Sequence, residues 1–563
     1  MTRRLLTLAA VSALLAGTAA TAAYARGRTL SAPACAVSCF AAPAGSGALL
    51  MFSGHGWGHG VGMSQYGAYG YALHGWTFQQ ILAHYYPGTA LSTAPAVNIR
   101  VLLADRKKTL TISSTVPFTV KDGAGQTHAL AAGAVTLDTG LALLVDGQAT
   151  PQPLTPPLTF APGPGGPLTL TRAYRGLIQV DLVDGKLRAV NVVGLEQYLD
   201  GVVPAEMPST WVPEALKAQA VAARSYALAN RLVGAPFDVY SDTRSQVYLG
   251  LSAETPAATA AVVATKRQVL MFGGKIATTY FFSTSGGETA SIADAWGVAP
   301  LPYLVSVPDP YDDISPFHDW GPVPVTAQTI AKTLKVPGAI MDASTTLNGS
   351  GRVSLLDLLT EPSFSTIPVD TSVPAGTVQS ALGLRSTWFD VGILSLAAPA
   401  PSAPIPYGSS IGLTGLVRGV DGVSLEQRTS VSSWHSLGPV TPAADGTVQL
   451  TEQPTITTDY RLATAAAAAA YVRVKVTPVI QLAATAVPGT VAGTELPVLP
   501  GAPVQVQQQG PDLKWTTVAT GAVADDGSFA VPVQLSAGST FRVVVTPGHG
   551  YWPATTAPLP VTG

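Results

Sequence analysis

Cysteine is almost absent from this 563-residue sequence: Cys35 and Cys39 are the only two. Two thiols four apart cannot staple a fold, and alone they make a poor metal site. Charge is equally sparse. The 31 Lys+Arg and 33 Asp+Glu make up 11% of the chain and leave a net charge of −2. Without clustered Lys/Arg to neutralise phosphates, a nucleic-acid partner is excluded as the default. Long hydrophobic runs are missing too. The apolar stretch Leu5–Ala16 and the alanine run Ala465–Ala470 both fall short of the roughly 20 residues a bilayer span needs. No transmembrane anchor is expected, and no lipid-bearing Cys directly follows the first run.

What is abundant is apolar and turn-forming. Apolar residues reach 47%, with 56 Gly and 46 Pro, the composition of a β-rich, loop-rich secreted protein of about three to five domains. Arg3 and Arg4, the apolar run and an Ala23-Tyr24-Ala25 cleavage site make residues 1–25 an export signal. In an oxidising compartment Cys35 and Cys39 are expected to close a small disulfide loop within a flexible linker, residues 26–50.

A first domain is expected over 51–397 and a Pro-rich linker over 398–406. Beyond it the chain repeats. Val423, Gln427, Trp434, Asp445, Gly446, Tyr460 and Arg461 correspond to Val504, Gln508, Trp515, Asp526, Gly527, Phe541 and Arg542, each pair 81 apart. Strand, Trp-bearing strand, Asp-Gly turn and aromatic-bearing strand predict two all-β immunoglobulin-like sandwiches, 407–478 and 479–563. Trp434 and Trp515 are expected as core anchors, with polymer binding as the alternative. Leu559-Pro560-Val561-Thr562-Gly563 matches a wall-sorting pentapeptide, but without the apolar tail that signal needs it reads as a strand end.

The chemistry concentrates in LEQYLDGVVPAEMPSTWVPEALKAQAVAARSYALANRL, residues 195–232. A short helix over 195–199 is expected to break at Gly201. Three prolines then confine a loop, and an Ala-rich helix runs from Pro213 to about Leu232. Glu206 falls in that loop among Val202, Val203, Pro204, Met207 and Pro208. Apolar company withdraws hydration from a carboxylate and raises its pKa, as a general acid acting on a glycosidic oxygen requires. Spacing alone leaves two structural roles equally open: capping the next helix, or pairing with Arg224.

These runs, Leu-Glu-x-Tyr-Leu, Val-Val-Pro-x-Glu-Met and Ala-Leu-Lys-Ala-Gln-Ala-Val-Ala-Ala-Arg, strongly resemble the SpoIID/LytB family of bacterial cell-wall proteins. Residues 280–296 and 302–320 resemble that family's later blocks. The resemblance implies an α+β domain, β-rich with an Ala-rich helix, associated with the cell wall. It also implies lytic transglycosylase activity on peptidoglycan glycan strands with Glu206 as the single acid/base, needing no cofactor. A non-catalytic role enhancing a cell-wall amidase is the alternative it carries. The segment 53–93, which comes last in many relatives, comes first here. That implies a permuted order, with 51–95 packing beside 381–395.

The remaining candidates line a substrate groove in this reading. His55 and His59 lie in a Gly-rich loop at H-x3-H spacing, which would suit zinc on a helix. The alternating glycines argue against a helix and suit close approach to a sugar or to the catalytic loop. Gln65 and Tyr66 follow in the same stretch. Ser283, Ser285, Gly286 and Gly287 form a tight polar loop without the G-x-S-x-G elbow of a serine nucleophile. Phe282 stands where many relatives carry a His, so no metal is assigned. Arg224 is expected to orient Glu206 or bind a sugar carboxylate, with a structural salt bridge as the alternative, and His318 is a lesser candidate.

Overall fold

A computed structural model describes residues 47–361, 367–399, 403–483, 489–548 and 550–561. The export signal 1–25, the pair Cys35 and Cys39, and Thr562 and Gly563 of the terminal pentapeptide lie outside the described residues. The fold is strand-rich with few helices. A seven-stranded sheet orders its strands 239–240, 98–107, 186–194, 177–183, 158–161, 118–121 and 127–130. The strand Lys186–Gly194 runs without a loop into helix α3, which this sheet therefore aims. Four helices matter for the site: α1 (Gln65–Leu73), α2 (Phe78–Tyr85), α3 (Leu195–Glu206) and α4 (Pro213–Ala229).

α4 is buried from Ala215 to Ala227 except at Lys217. Its alanines let neighbours approach on several sides. One face joins Tyr198, Leu199 and Val202 of α3 in the core of the seven-stranded sheet. Another, through Ala218, Val221 and Ala222, closes a second core with Ala68, Ile81 and Tyr85 of α1 and α2. The amino-terminal segment is thus wedged against the helix that follows Glu206.

α3 departs from the expected break. It continues through Gly201 and Pro204 and ends on Glu206, with Met207 N–H donating to the Val203 carbonyl at 2.9 Å. Burial of Val202, Val203 and Met207 outweighs the local propensity of Gly and Pro. Gly201 is there for room, since a Cβ would lie 2.8 Å from the Tyr248 ring.

The boundary expected at 398–406 does not separate independent units. A five-stranded sheet takes strands 319–326, 49–55, 389–397, 411–418 and 447–452 in that order, so it crosses the Pro-rich stretch. Leu49, Met51 and Leu394 share a core with Leu413, Val417 and Tyr460. Leu49 and Leu50, expected in a flexible linker, are buried strand residues. The expected neighbourhood of 51–95 and 381–395 is present: Leu49–Gly54 pairs antiparallel with Phe389–Leu394.

The repeat is visible in strand order. Strands 432–439, 424–429, 458–463 and 472–474 are adjacent in one sheet, and 515–522, 503–509, 540–545 and 554–555 follow the same order in another. Trp434 and Trp515 are not core anchors. The Arg461 and Arg428 guanidiniums lie 4.0 and 4.8 Å from the Trp434 ring centre, and Arg542 lies 4.3 Å from that of Trp515. The cores are instead filled by Val and Leu from alternate strand positions.

Candidate functional site

Glu206 ends α3 with one carboxylate oxygen accepting the Val247 N–H at 2.7 Å. Among the described residues the other takes no hydrogen bond, and it is not sealed from solvent. Desolvation raises its pKa above the ordinary carboxyl range, against the lowering effect of the Val247 N–H. The shift is therefore one of burial, and it suits a group that must hold a proton before releasing it. The phenols of Tyr198 and Tyr226 lie within electrostatic reach of Glu206. Tyr198 is fixed by donating to Gln246, whose amide donates in turn to the Ala223 carbonyl of α4.

Two sequence-predicted residues stand beside Glu206. Gln65, at the start of α1, donates its side-chain N–H to the Glu206 carbonyl at 3.0 Å. Tyr66 packs edge-on against Trp211 at 4.8 Å, and Tyr69 stacks on the same indole at 4.5 Å. Trp211 belongs to the loop between α3 and α4, so α1 braces both sides of the Glu206 turn. Sequence reasoning missed Trp211, although it sits inside the quoted motif.

Arg224 does not join this group. It is fully buried and grips Glu196 through two hydrogen bonds, Nη2 at 2.7 Å and Nε at 3.1 Å. Glu196 and Glu206 are ten residues apart on one helix, about 15 Å along its axis. The expected role of Arg224 as sugar ligand or partner of Glu206 is corrected to a structural ion pair.

The Ser283–Gly287 loop is held from behind by Asp312. This fully buried carboxylate accepts Ser285 N–H at 3.0 Å, Gly286 N–H at 2.9 Å and the Ser64 hydroxyl at 2.6 Å, with His318 Nδ1 at 3.2 Å. Ser64 in turn caps α1 by accepting Gly67 N–H. Ser285 and Gly286 are buried, and the Ser285 hydroxyl accepts Gly287 N–H, so they shape the wall from within and are not its surface. Ser283 and Gly287 are partly exposed. The Ser283 carbonyl receives Tyr66 N–H at 3.0 Å, tying this loop to α1.

His55 and His59 face different partners. His55 meets Asp319 at 2.6 Å and packs on Trp388. His59 accepts the Val61 N–H on Nδ1 and sits among the Tyr280, Phe282 and Trp296 rings. Desolvation first and the Arg352 charge second push its pKa down to about 4. His59 is thus a half-buried ring, held neutral and packed against aromatic side chains.

The glycines beside them approach protein atoms closely. A Cβ on Gly56 would lie 2.6 Å from the Thr284 carbonyl oxygen, and one on Gly60 would lie 2.8 Å from the Arg352 guanidinium. Arg352 is 1% exposed and donates to the carbonyls of Ser285 and Glu288. Nothing in the sequence marked it, because it lies outside every quoted motif.

Comparison with known proteins places this geometry. Residues 183–272, which contain α3, α4 and Glu206, match the family SpoIID, Stage II sporulation protein. This segment is a SpoIID domain, and with the relatives it matches it supports assignment to the SpoIID/LytB family. It is 39% identical over 146 residues to Stage II sporulation protein D of Bacillus subtilis, covering 23% of this chain and 42% of that one. An uncharacterized protein of Brachyspira hyodysenteriae is 40% identical over 137 residues, 24% of this chain and 37% of its own. The amidase enhancer of Bacillus subtilis is 39% identical over 114 residues, 20% of this chain and 15% of its own. The chain thus spans less than half the length of these curated relatives. Its relation to them supports a cell-wall role.

Proposed function

We propose that the protein is a secreted lytic transglycosylase that cleaves peptidoglycan glycan strands, with Glu206 as its acid and base. The observation that carries this reading is one carboxyl whose pKa is raised by burial and whose one oxygen is left free, at the centre of the family segment. Protonated Glu206 would give its proton to the oxygen linking N-acetylmuramic acid to N-acetylglucosamine as the C1–O bond breaks. The resulting carboxylate would take the proton of the same sugar's C6 hydroxyl as that oxygen bonds to C1. The product is a 1,6-anhydro sugar, no water is consumed, and the enzyme returns to its protonated form. The Val247 N–H positions the carboxyl for both transfers, and Gln65 holds the main chain of the same residue. A hydrolase would need a second carboxylate at a set separation. The carboxy-terminal repeats are read here as immunoglobulin-like modules that hold the enzyme on the wall.

Mass spectrometry of purified glycan strands after incubation with the protein and with Glu206→Gln tests this. Anhydro-terminated fragments from the unaltered protein alone are expected, and reducing-end products would refute the mechanism. The similarity to an amidase enhancer supports one second reading, a wall-binding protein that stimulates an amidase. In that case neither protein cleaves glycan, and both raise amidase turnover equally.

A further inference from the structure

A cleft of about 430 Å³ is lined among others by Trp57, Phe317, Asp319 and Arg385. This cleft and the Glu206 turn share one piece of main chain. The Ser283 carbonyl accepts Tyr66 N–H beside the Glu206 turn, and the Thr284 carbonyl accepts Trp57 N–H at 2.8 Å. Trp57 is 43% exposed, far above what a core indole shows. Its ring meets Phe317 edge-on at 4.5 Å. The Arg385 guanidinium lies over both rings, 5.0 Å from Trp57 and 4.3 Å from Phe317.

Arg385 is held but not satisfied. Its carbonyl is pinned by Gly58 N–H and by the Gln379 amide. Among the described residues its guanidinium makes no ion pair or protein hydrogen bond. Both rings lie against the guanidinium, and its N–H groups, which make no protein hydrogen bond among the described residues, are a fork that can receive a carboxylate through two parallel hydrogen bonds. An exposed indole alongside offers an apolar face to the C–H side of a pyranose ring. Asp319, 73% exposed in its side chain and already engaged by His55, offers an acceptor for sugar hydroxyls.

We propose that this cleft is a second saccharide subsite, in which Trp57 stacks on a sugar ring and Arg385 binds a carboxylate carried by the same polymer. It rests on the peptidoglycan reading of the Glu206 site and extends it, giving the enzyme a grip on the strand away from the scissile bond. The carboxylate has two sources in this polymer: the lactyl group of a bare muramic acid, or a peptide stem.

Calorimetric titration of the full chain carrying Glu206→Gln, which suppresses turnover, tests it. The probes are bare glycan oligomers, peptide-bearing oligomers and a neutral chitin oligomer. Adding Arg385→Gln is expected to weaken binding about tenfold or more for one of the two carboxylate-bearing probes, and the probe affected names the source. Binding of the neutral oligomer stays unchanged, which also reports that the fold is intact. Adding Trp57→Ala weakens all three. Equal loss on neutral and acidic probes, or no loss at all, overturns the subsite while leaving the Glu206 reading standing. Failure of the Glu206→Gln protein to bind any glycan overturns both.

Discussion

Asp309 and Asp312 form a buried carboxyl pair whose proton is predicted to sit on Asp309. Both are fully buried. Asp309 accepts one hydrogen bond, from the Tyr85 hydroxyl at 2.8 Å, and its other oxygen is buried without a partner. Burial first and repulsion from Asp312 second push its pKa up to about 7 from 3.8. A folded-state pKa above the unfolded one means that stability is fully present below pH 3.8 and is lost as pH rises through 7. At 1.36 kcal/mol per pH unit the loss between pH 5 and pH 8 is about 2–3 kcal/mol. Asp309→Asn keeps an acceptor for Tyr85 and removes the titration. Groups such as Glu206 and His59 titrate in both proteins and cancel. Urea unfolding followed by tryptophan fluorescence at the two pH values is the assay. The variant should gain about 2–3 kcal/mol on the unaltered protein between pH 5 and pH 8, whatever its offset at pH 5. Parallel pH dependence in the two proteins would refute the assignment of the proton to Asp309.

Two further substitutions separate structure from function. Arg224→Leu breaks a buried ion pair and should destabilise by about 3 kcal/mol in the same assay, while the folded fraction keeps its glycan affinity; a selective loss of affinity would restore Arg224 to the substrate site. Gly60→Ala must both hold φ near +83° and displace the Arg352 guanidinium, whereas Gly75→Ala faces the same φ of +83° with nothing within 4 Å. Thermal unfolding should show Gly60→Ala losing at least about 1 kcal/mol more than Gly75→Ala, and equal losses would mean that backbone conformation alone requires the glycine.

The legible parts of the site were those that short-range chemistry determines. The apolar company of Glu206 was sufficient to read a raised pKa, because its neighbours in sequence are also its neighbours in space. The same segment misled on backbone: Gly201 and Pro204 argue for a loop, but the Tyr248 ring against Gly201 and the buried Val202, Val203 and Met207 carry the helix through. Arg224 was misread because its partner, Glu196, lies 28 residues earlier on another helix. Trp434 and Trp515 were misread because a Trp at a strand position signals burial, whereas the arginine 27 residues on, Arg461 or Arg542, reaches its ring from a neighbouring part of the sheet.

The illegible parts share a different cause. Ser64 reaches Asp312 across 248 residues, and Arg352 reaches Ser285 across 67, so neither pairing leaves a local trace. What the sequence did carry was the alternation Gly56, Gly58, Gly60, Gly62, and its meaning is mechanical. A Cβ at these positions would meet, in turn, the Thr284 and Ser285 carbonyls, the Phe282 side chain, the Arg352 guanidinium and the Tyr280 carbonyl. Gly56, Gly58 and Gly62 therefore let one strip of chain lie flush against the 280–286 segment, and Gly60 makes room for Arg352. The residues between them are divided by that contact: His59 and Val61 are turned into aromatic and apolar packing, and Trp57 is turned out. A strip locked this tightly is a rigid mount. It fixes the Ser283–Gly287 wall against α1, hence against Gln65 and the Glu206 carbonyl, and it presents Trp57 beside Arg385. If the two places grip one polymer, their spacing is set by this glycine contact, and loosening it at Gly56 would weaken both together.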